Sequence, residues 1–246
     1  MYQSVAPLKQ GADHALFEPI EYASLGEILV VPVVAIEARV LAHHYPIVWR
    51  RQGDGYEMVA LLSISAPHLT QLRGEFDQGM PRPLLIEAYP LAIAFSESEG
   101  ERGTVLIDAV PAPEGATGTP VFLPSGAMSP SAGRRMAALQ VYASDAARTA
   151  SYTRALAAAG LMSDWTLRLR IGEDAVEIDG LCVLAPGDKA RTALAAAVLE
   201  HGFPLAELVT FHDLSLFNMQ RLVDRFRSGR LADRTAQAAQ TGAPGA

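Results

Sequence analysis

Six histidines, one cysteine and 27 carboxylates are the groups with which this chain of 246 residues could bind metal or move protons, and their spacing decides which chemistry is open. His43 and His44 are adjacent, so on a helix their side chains point about 100° apart and cannot share a metal unaided. His14, His68, His201 and His212 have no second histidine within a turn, and no metal site is expected. Cys182 in GLCVL has no second cysteine to pair with. Its apolar neighbours predict a buried, inert thiol. The strings LPSGAM and SPSAG lack the first glycine of a G-x-S-x-G nucleophile elbow. Neither a G-x-x-x-x-G-K-[ST] loop nor a G-x-G-x-x-G turn occurs, so no nucleotide cradle and no cofactor are expected. Glu97 with Glu99 and Glu173 with Asp174 fall in predicted turns, where water keeps carboxylates ordinary acids.

Three ionisable residues fall within or beside apolar runs: Asp108 in TVLIDAV, Glu87 in LLIEAYP, and His212 beside Asp213. Each must face water or find a hydrogen-bonded partner, because an unpaired buried charge is costly. Thr210 to Asp213 has the form of a capping box, which places His212 at the start of a last helix. Convergence of Asp108, Glu87 and His212 in one pocket would indicate an enzyme of unrecognised type; separate locations would not.

The elements that must position these groups follow from periodicity. Ile28 to Val33 reads as a strand and Val34 to His43 as a helix that Pro46 forbids from passing Tyr45. Ile47-Val48-Trp49 then begins a strand that turns at Gly53–Gly55 into Met58 to Ile64. A short helix over Arg82 to Ala88 is closed by Pro90 and followed by the strands LAIAFS and Thr104 to Val110, joined by the turn ESEGERG. Pro111 to Pro130, rich in proline and glycine, predicts an irregular surface connection. Ser131 to Ala159 is a long alanine-rich helix with Met136, Leu139, Ala143, Ala147, Ala150 and Leu156 as inward candidates, and Gly160 as its C-cap. Trp165 to Ile171 and VEIDGLCVL, joined by GEDA, make a second hairpin. Helices are expected from Asp188 to about His201 and from Asp213 to Phe226. The fold class is therefore α+β: an antiparallel or mixed sheet built from hairpins, packed against helices of the C-terminal half. Residues 1–15 and 229–246, without an apolar period, are expected to be a disordered arm and tail around a single domain over 16–228.

With 27 acidic against 20 basic residues the formal charge is -7, which disfavours nucleic acid and anionic lipid as partners. The N-terminus lacks the features of a secretory signal, and no apolar run reaches the roughly eighteen residues of a membrane span. A cytoplasmic location is the expectation. An apolar fraction of 50% is enough to supply a groove for a protein or peptide client.

Seven strings in order, YPIVW at Tyr45 to Trp49, MVALLSI, PLLIEAYP at Pro83 to Pro90, LIDAV, GTPVFLPSG, GLMSDW and HDLSL at His212 to Leu216, resemble the SapC family, named from bacterial surface-layer gene clusters. The resemblance runs from about Ile28 to Arg227. It departs at Glu87-Ala88, where the family tends to carry basic residues. It implies no catalytic residue and no cofactor, and points to an accessory protein with a client linked to the cell envelope. Tyr45, Trp49, Glu87, Tyr89, Asp108 and His212 are the candidate binding residues. HHYPIVW itself reads as a helix stop followed by a core strand, with His44 near a pocket rim.

Overall fold

The computed structural model describes residues 2, 4–10, 14–17, 29–64, 76, 78–95, 103–109, 117–171 and 174–228. In chain order its elements are β1 (Val5–Pro7), β2 (Ala15–Leu16), β3 (Val30–Pro32), α1 (Ala35–Leu41), β4 (Ile47–Gln52), β5 (Gly55–Leu61), α2 (Leu84–Ala88), β6 (Leu91–Ala94), β7 (Thr104–Asp108) and β8 (Thr119–Pro120). The second half adds α3 (Pro130–Ala158), β9 (Met162–Ile171), β10 (Asp174–Leu184), α4 (Asp188–His201) and α5 (Phe203–Ser215). A 3-10 turn at Leu216–Asn218 leads into α6 (219–228). The expected α+β class is the one observed.

A five-stranded sheet in the order β3-β5-β4-β10-β9 carries the fold, with antiparallel pairing throughout. The β4–β5 hairpin turns at Gly53-Asp54, with Gly53 at φ 56° in the first central position, which II′ turns reserve for glycine. Ile47, Val48 and Trp49 are fully buried because both faces of β4 are covered. Ile47 and Trp49 join the main core with α1, α3 and α5, while Val48 packs with Val59 and Leu181 on the other face. That second face is closed by α6, whose Leu222 and Phe226 pack with Leu61, Ile64 and Leu167. A smaller sheet, β1-β7-β6, lies beside it.

Ser129 caps α3, its Oγ accepting from Ala132 N, with Pro130 in the first turn. Its other end is a Schellman motif: Leu161 N–H donates to Leu156 O (3.0 Å), Gly160 N–H to Ala157 O (2.9 Å), and Gly160 sits at φ 68°. The GLM string therefore ends α3 as its composition predicts.

Three expectations need correction. The N-terminal arm is a strand over Val5–Pro7, paired with Leu106 to Asp108, because Asp108 and the β7 edge supply the partners its backbone needs. The proline- and glycine-rich connection contains β8 and a Phe122–Met128 bridge. And the chain from Phe203 to Ser215 is helical, so Thr210–Asp213 is not a capping box: Thr210 Oγ1 donates back to Ala206 O (2.9 Å) inside α5. The start signal is one turn or two earlier, at Gly202 (φ 80°) and Pro204. The ESEGERG and GEDA turns fall largely, and the 229–246 tail wholly, outside the described residues.

The middle of α3 docks on α1 through polar groups. Three successive amides at the start of α1 find side-chain acceptors: Val34 N–H on Glu37 Oε2 (2.9 Å), Ala35 N–H on Thr149 Oγ1 (2.7 Å) and Ile36 N–H on Asp145 Oδ2 (2.8 Å). Asp145 also accepts from Thr149 Oγ1 (3.2 Å) and pairs with Arg148. Replacing Asp145 by Ala leaves the part-buried Ile36 N–H without its acceptor and is expected to cost about 1–2 kcal/mol. Urea unfolding should show this as a lowered midpoint at unchanged slope, with Asp145→Asn losing less.

Candidate functional site

The β4–β5 hairpin and the middle of α3 do not close on each other. Between them lies an open groove of about 650 Å³, walled by Ala143, Ala146, Ala147 and Ala150 of α3 and by Val33, Val34, Tyr56, Met58 and Phe95 opposite. Alanine accounts for much of the space: four of the α3 side chains that line it are single methyl groups. The alanines expected to face the core thus face the groove, and Ala147 and Ala150 are exposed. The expected Leu139 and Leu156 are buried, and with them α3 buries Arg135, Asp145, Thr149, Tyr152 and Thr153.

The polar groups lining the groove are few and mostly neutral. Gln52, Ser144, Tyr142 and Thr153 contribute amide and hydroxyl groups. Burial holds the Tyr142 phenol well above its ordinary pKa, with the charges of Glu57 and Glu37 adding, so it stays a donor at any working pH. The Glu57 carboxylate is engaged by Arg50 at 2.5 Å. Thr153 Oγ1 accepts from Trp49 Nε1 (3.1 Å), and its own proton has no acceptor among the described residues.

Trp49 supports the groove from beneath and rests on His212, their ring centroids 4.9 Å apart. His212 is fully enclosed and uses both nitrogens: Nδ1–H donates to Ile47 O (2.6 Å) and Nε2 accepts from Leu184 N–H (3.3 Å). This assignment follows from the partners, since a carbonyl can only accept and an amide only donate. One turn on, Ser215 Oγ accepts from Ile47 N–H (2.8 Å) and donates to His212 O (2.6 Å). Both backbone groups of Ile47 are thereby held by α5. Burial lowers the His212 pKa, against the Ile47 hydrogen bond and the charge of Asp213.

The other candidates sit elsewhere. Tyr45 is fully buried, its hydroxyl donating to Pro81 O (2.9 Å). His44, near it, meets Arg221 at 3.3 Å. Tyr89 Oη donates to Asp108 Oδ2 (3.3 Å) and its ring stacks on Tyr2 at 6.0 Å. Asp108 also accepts from Ser4 N–H (2.6 Å), which ties β1 to β7. Glu87 is partly exposed and lies 3.4 Å from Arg82. The structure therefore brings together Tyr89 with Asp108, and Trp49 with His212. Asp108, Glu87 and His212 have no common partner in these contacts, and none of the three lines the groove.

Sequence reasoning missed Glu37, Tyr142, Asp145, Thr149 and Thr153. The available signal was the four-residue spacing of Asp145, Thr149 and Thr153, which sets them along one stripe of α3. Buried Glu37 bridges two helix starts, accepting from Val34 N–H and from Leu84 N–H (2.7 Å). Burial pushes its carboxyl up to about 7, against the pull of those two amides and with Asp145 adding.

Fold and site together define an α+β protein with a groove cut between a long helix and an antiparallel sheet. The sequence model of the SapC family matches residues 12–222. The chain belongs to the SapC family. No curated protein and no solved structure matches it.

Glu37 and His212 set opposite pH responses. A carboxyl raised to about 7 binds its proton more tightly folded than unfolded, so stability falls as pH rises from about 4.5 to 7. A histidine whose pKa is lowered by folding does the reverse, and stability is lost as pH drops below about 6.5. Glu37→Gln should remove the first limb, worth at most about 1.4 kcal/mol per pH unit, and leave a steeper acid loss. His212→Gln should remove the second while lowering stability at neutral pH by about 2 kcal/mol. Thermal unfolding of both variants across pH 4–8 checks the assignment; an unaltered profile in either places that proton on another group.

Proposed function

We propose that the protein is a non-enzymatic binding or accessory protein that holds an apolar segment of a protein or peptide client in the groove between α3 and the β4–β5 hairpin. The observation that carries this reading is the groove itself, whose volume of about 650 Å³ falls within the range of sites that enclose a ligand. Its lining suits a peptide: methyl and aromatic walls take apolar side chains, while Tyr142, Thr153 and Gln52 offer neutral partners for amide groups. From Tyr142 to Thr153 the α3 wall is about 16 Å long, at 1.5 Å per residue. That accommodates about five residues of extended chain. The surface-layer association of the family name makes an envelope protein the first client to test, with recognition taking place in the cytoplasm.

Filling the groove separates binding from folding. Ala146→Phe adds bulk where the wall faces open space, so it should abolish capture of envelope-derived peptides while shifting stability by no more than about 1 kcal/mol. Peptide arrays followed by titration calorimetry would read this. Equal peptide binding by the wild type and Ala146→Phe would move the client to another surface.

A further inference from the structure

At the far end of the sheet from β3, β9 pairs with β10 and, among the described residues, with nothing on its outer side. It is a ten-residue edge. A long unpaired edge offers a row of backbone donors and acceptors to another strand, unless its side chains forbid that. Charges on β9 could serve as such a guard; their order along the strand argues otherwise.

The strand reads Met162-Ser-Asp164-Trp165-Thr166-Leu167-Arg168-Leu169-Arg170-Ile171. Laid antiparallel on itself with a two-fold axis at Leu167, it sets Asp164 opposite Arg170, Thr166 opposite Arg168 and Trp165 opposite Leu169. The facing charges are thus opposite, and the apolar residues meet on the other face. Two further observations favour a second charge at each end. Arg51 engages only Oδ1 of Asp164, at 3.1 and 2.6 Å, so Oδ2 is open to another cation. Arg170 is exposed and has no ion pair or hydrogen bond among the described residues. On the opposite face Trp165, Leu167 and Leu169 pack with α6, which stiffens the strand that a partner would meet.

We infer that the protein forms a two-fold dimer in which β9 pairs antiparallel with β9 of a second copy, centred on Leu167, joining two five-stranded sheets into one. The interface is isologous, as a closed dimer requires, and each Asp164–Arg170 pair occurs twice. Directly opposed charges favour such a pairing when their signs differ and oppose it when they match.

Sedimentation velocity on the full chain over a wide concentration range is the test. The wild type should show a reversible dimer. Arg170→Asp, which sets Asp against Asp at both ends, should weaken it about tenfold or more. The swap Asp164→Arg/Arg170→Asp restores opposite charges and should recover the dimer. Register is read separately: Thr166→Cys/Arg168→Cys should cross-link two chains on mild oxidation, since opposed residues lie within disulfide reach, whereas Arg168→Cys alone should not. A wild type that sediments as a monomer throughout overturns the inference. So does a dimer indifferent to Arg170→Asp, or cross-linking by the single cysteine as efficient as by the pair. Circular dichroism of each variant separates a lost interface from a lost fold.

Discussion

The structure depends on how α3 meets the rest of the protein at its middle. Over that stretch the helix turns Asp145, Thr149 and Thr153 inward, and their hydrogen bonds go to the start of α1 and to Trp49. A contact made by hydrogen bonds has a fixed separation, whereas apolar side chains would settle until the gap closed. The separation set here leaves the alanine stripe standing off the β4–β5 hairpin. The groove is the volume that remains. Its existence and the polarity of the α3 interior are therefore one fact, and Thr149 and Thr153 belong to both.

A second set of side-chain-to-backbone bonds joins the halves of the chain. Ile47 gives its carbonyl to His212 and its amide to Ser215, and Leu184 of β10 gives its amide to the other nitrogen of the same imidazole. β10 completes the join by pairing Leu181 and Cys182 with Arg50 and Trp49. Residues three apart on one helix face thus clamp a single strand residue, which needs helical spacing between His212 and Ser215 and a fixed start for β4. Pro46 supplies that start by stopping α1. The YPIVW and HDLSL strings, remote in sequence, are two sides of this joint. After it the chain crosses from the Trp49 face of the sheet to the other face, where Arg225 donates to Leu62 O (2.8 Å).

Most elements were legible because their signals are local. The Gly53 turn, the stop at Pro46 and the Gly160 cap each act within a few residues, and the α+β class follows from hairpins and helices lying in separate stretches. The core strand at Trp49 was legible too, in a run of Ile, Val and Trp after a proline; Tyr45, named with Trp49 as a candidate binding residue, is equally buried. The inward face of α3 was legible only at its apolar ends. Of the inward candidates, Leu139 and Leu156 are buried and Met136 packs on the core, whereas Ala143, Ala147 and Ala150 are not buried: alanine contributes little to burial, and three hydrogen-bonded polar residues outcompete it for the inner face. Glu37 was hidden for a related reason. Its partners, Val34 and Leu84, are backbone amides, which no pattern of side-chain types discloses. Helix α5 escaped because Thr210, a residue fit to cap a helix, bonds back to Ala206 within one.

The groove lies against β4 and β5, with β10 between them and the β9 edge, so neither obstructs the other. Trp49, Met58 and α3 share one face of the sheet; α6, Leu61 and Leu167 share the other. Antiparallel pairing of β9 with itself places the two-fold axis perpendicular to the sheet, which keeps each face on its own side of the assembly. In the inferred dimer both grooves then lie on the same face of the joined sheet, where a client of the kind proposed, if it presents two apolar segments, meets both. Holding the second segment is an intramolecular step, whose gain depends on the tether reaching between sites more than on the affinity of either groove. If both proposals hold, a groove with few polar contacts suffices for retention of a client with repeated apolar segments. An isolated apolar segment would exchange freely.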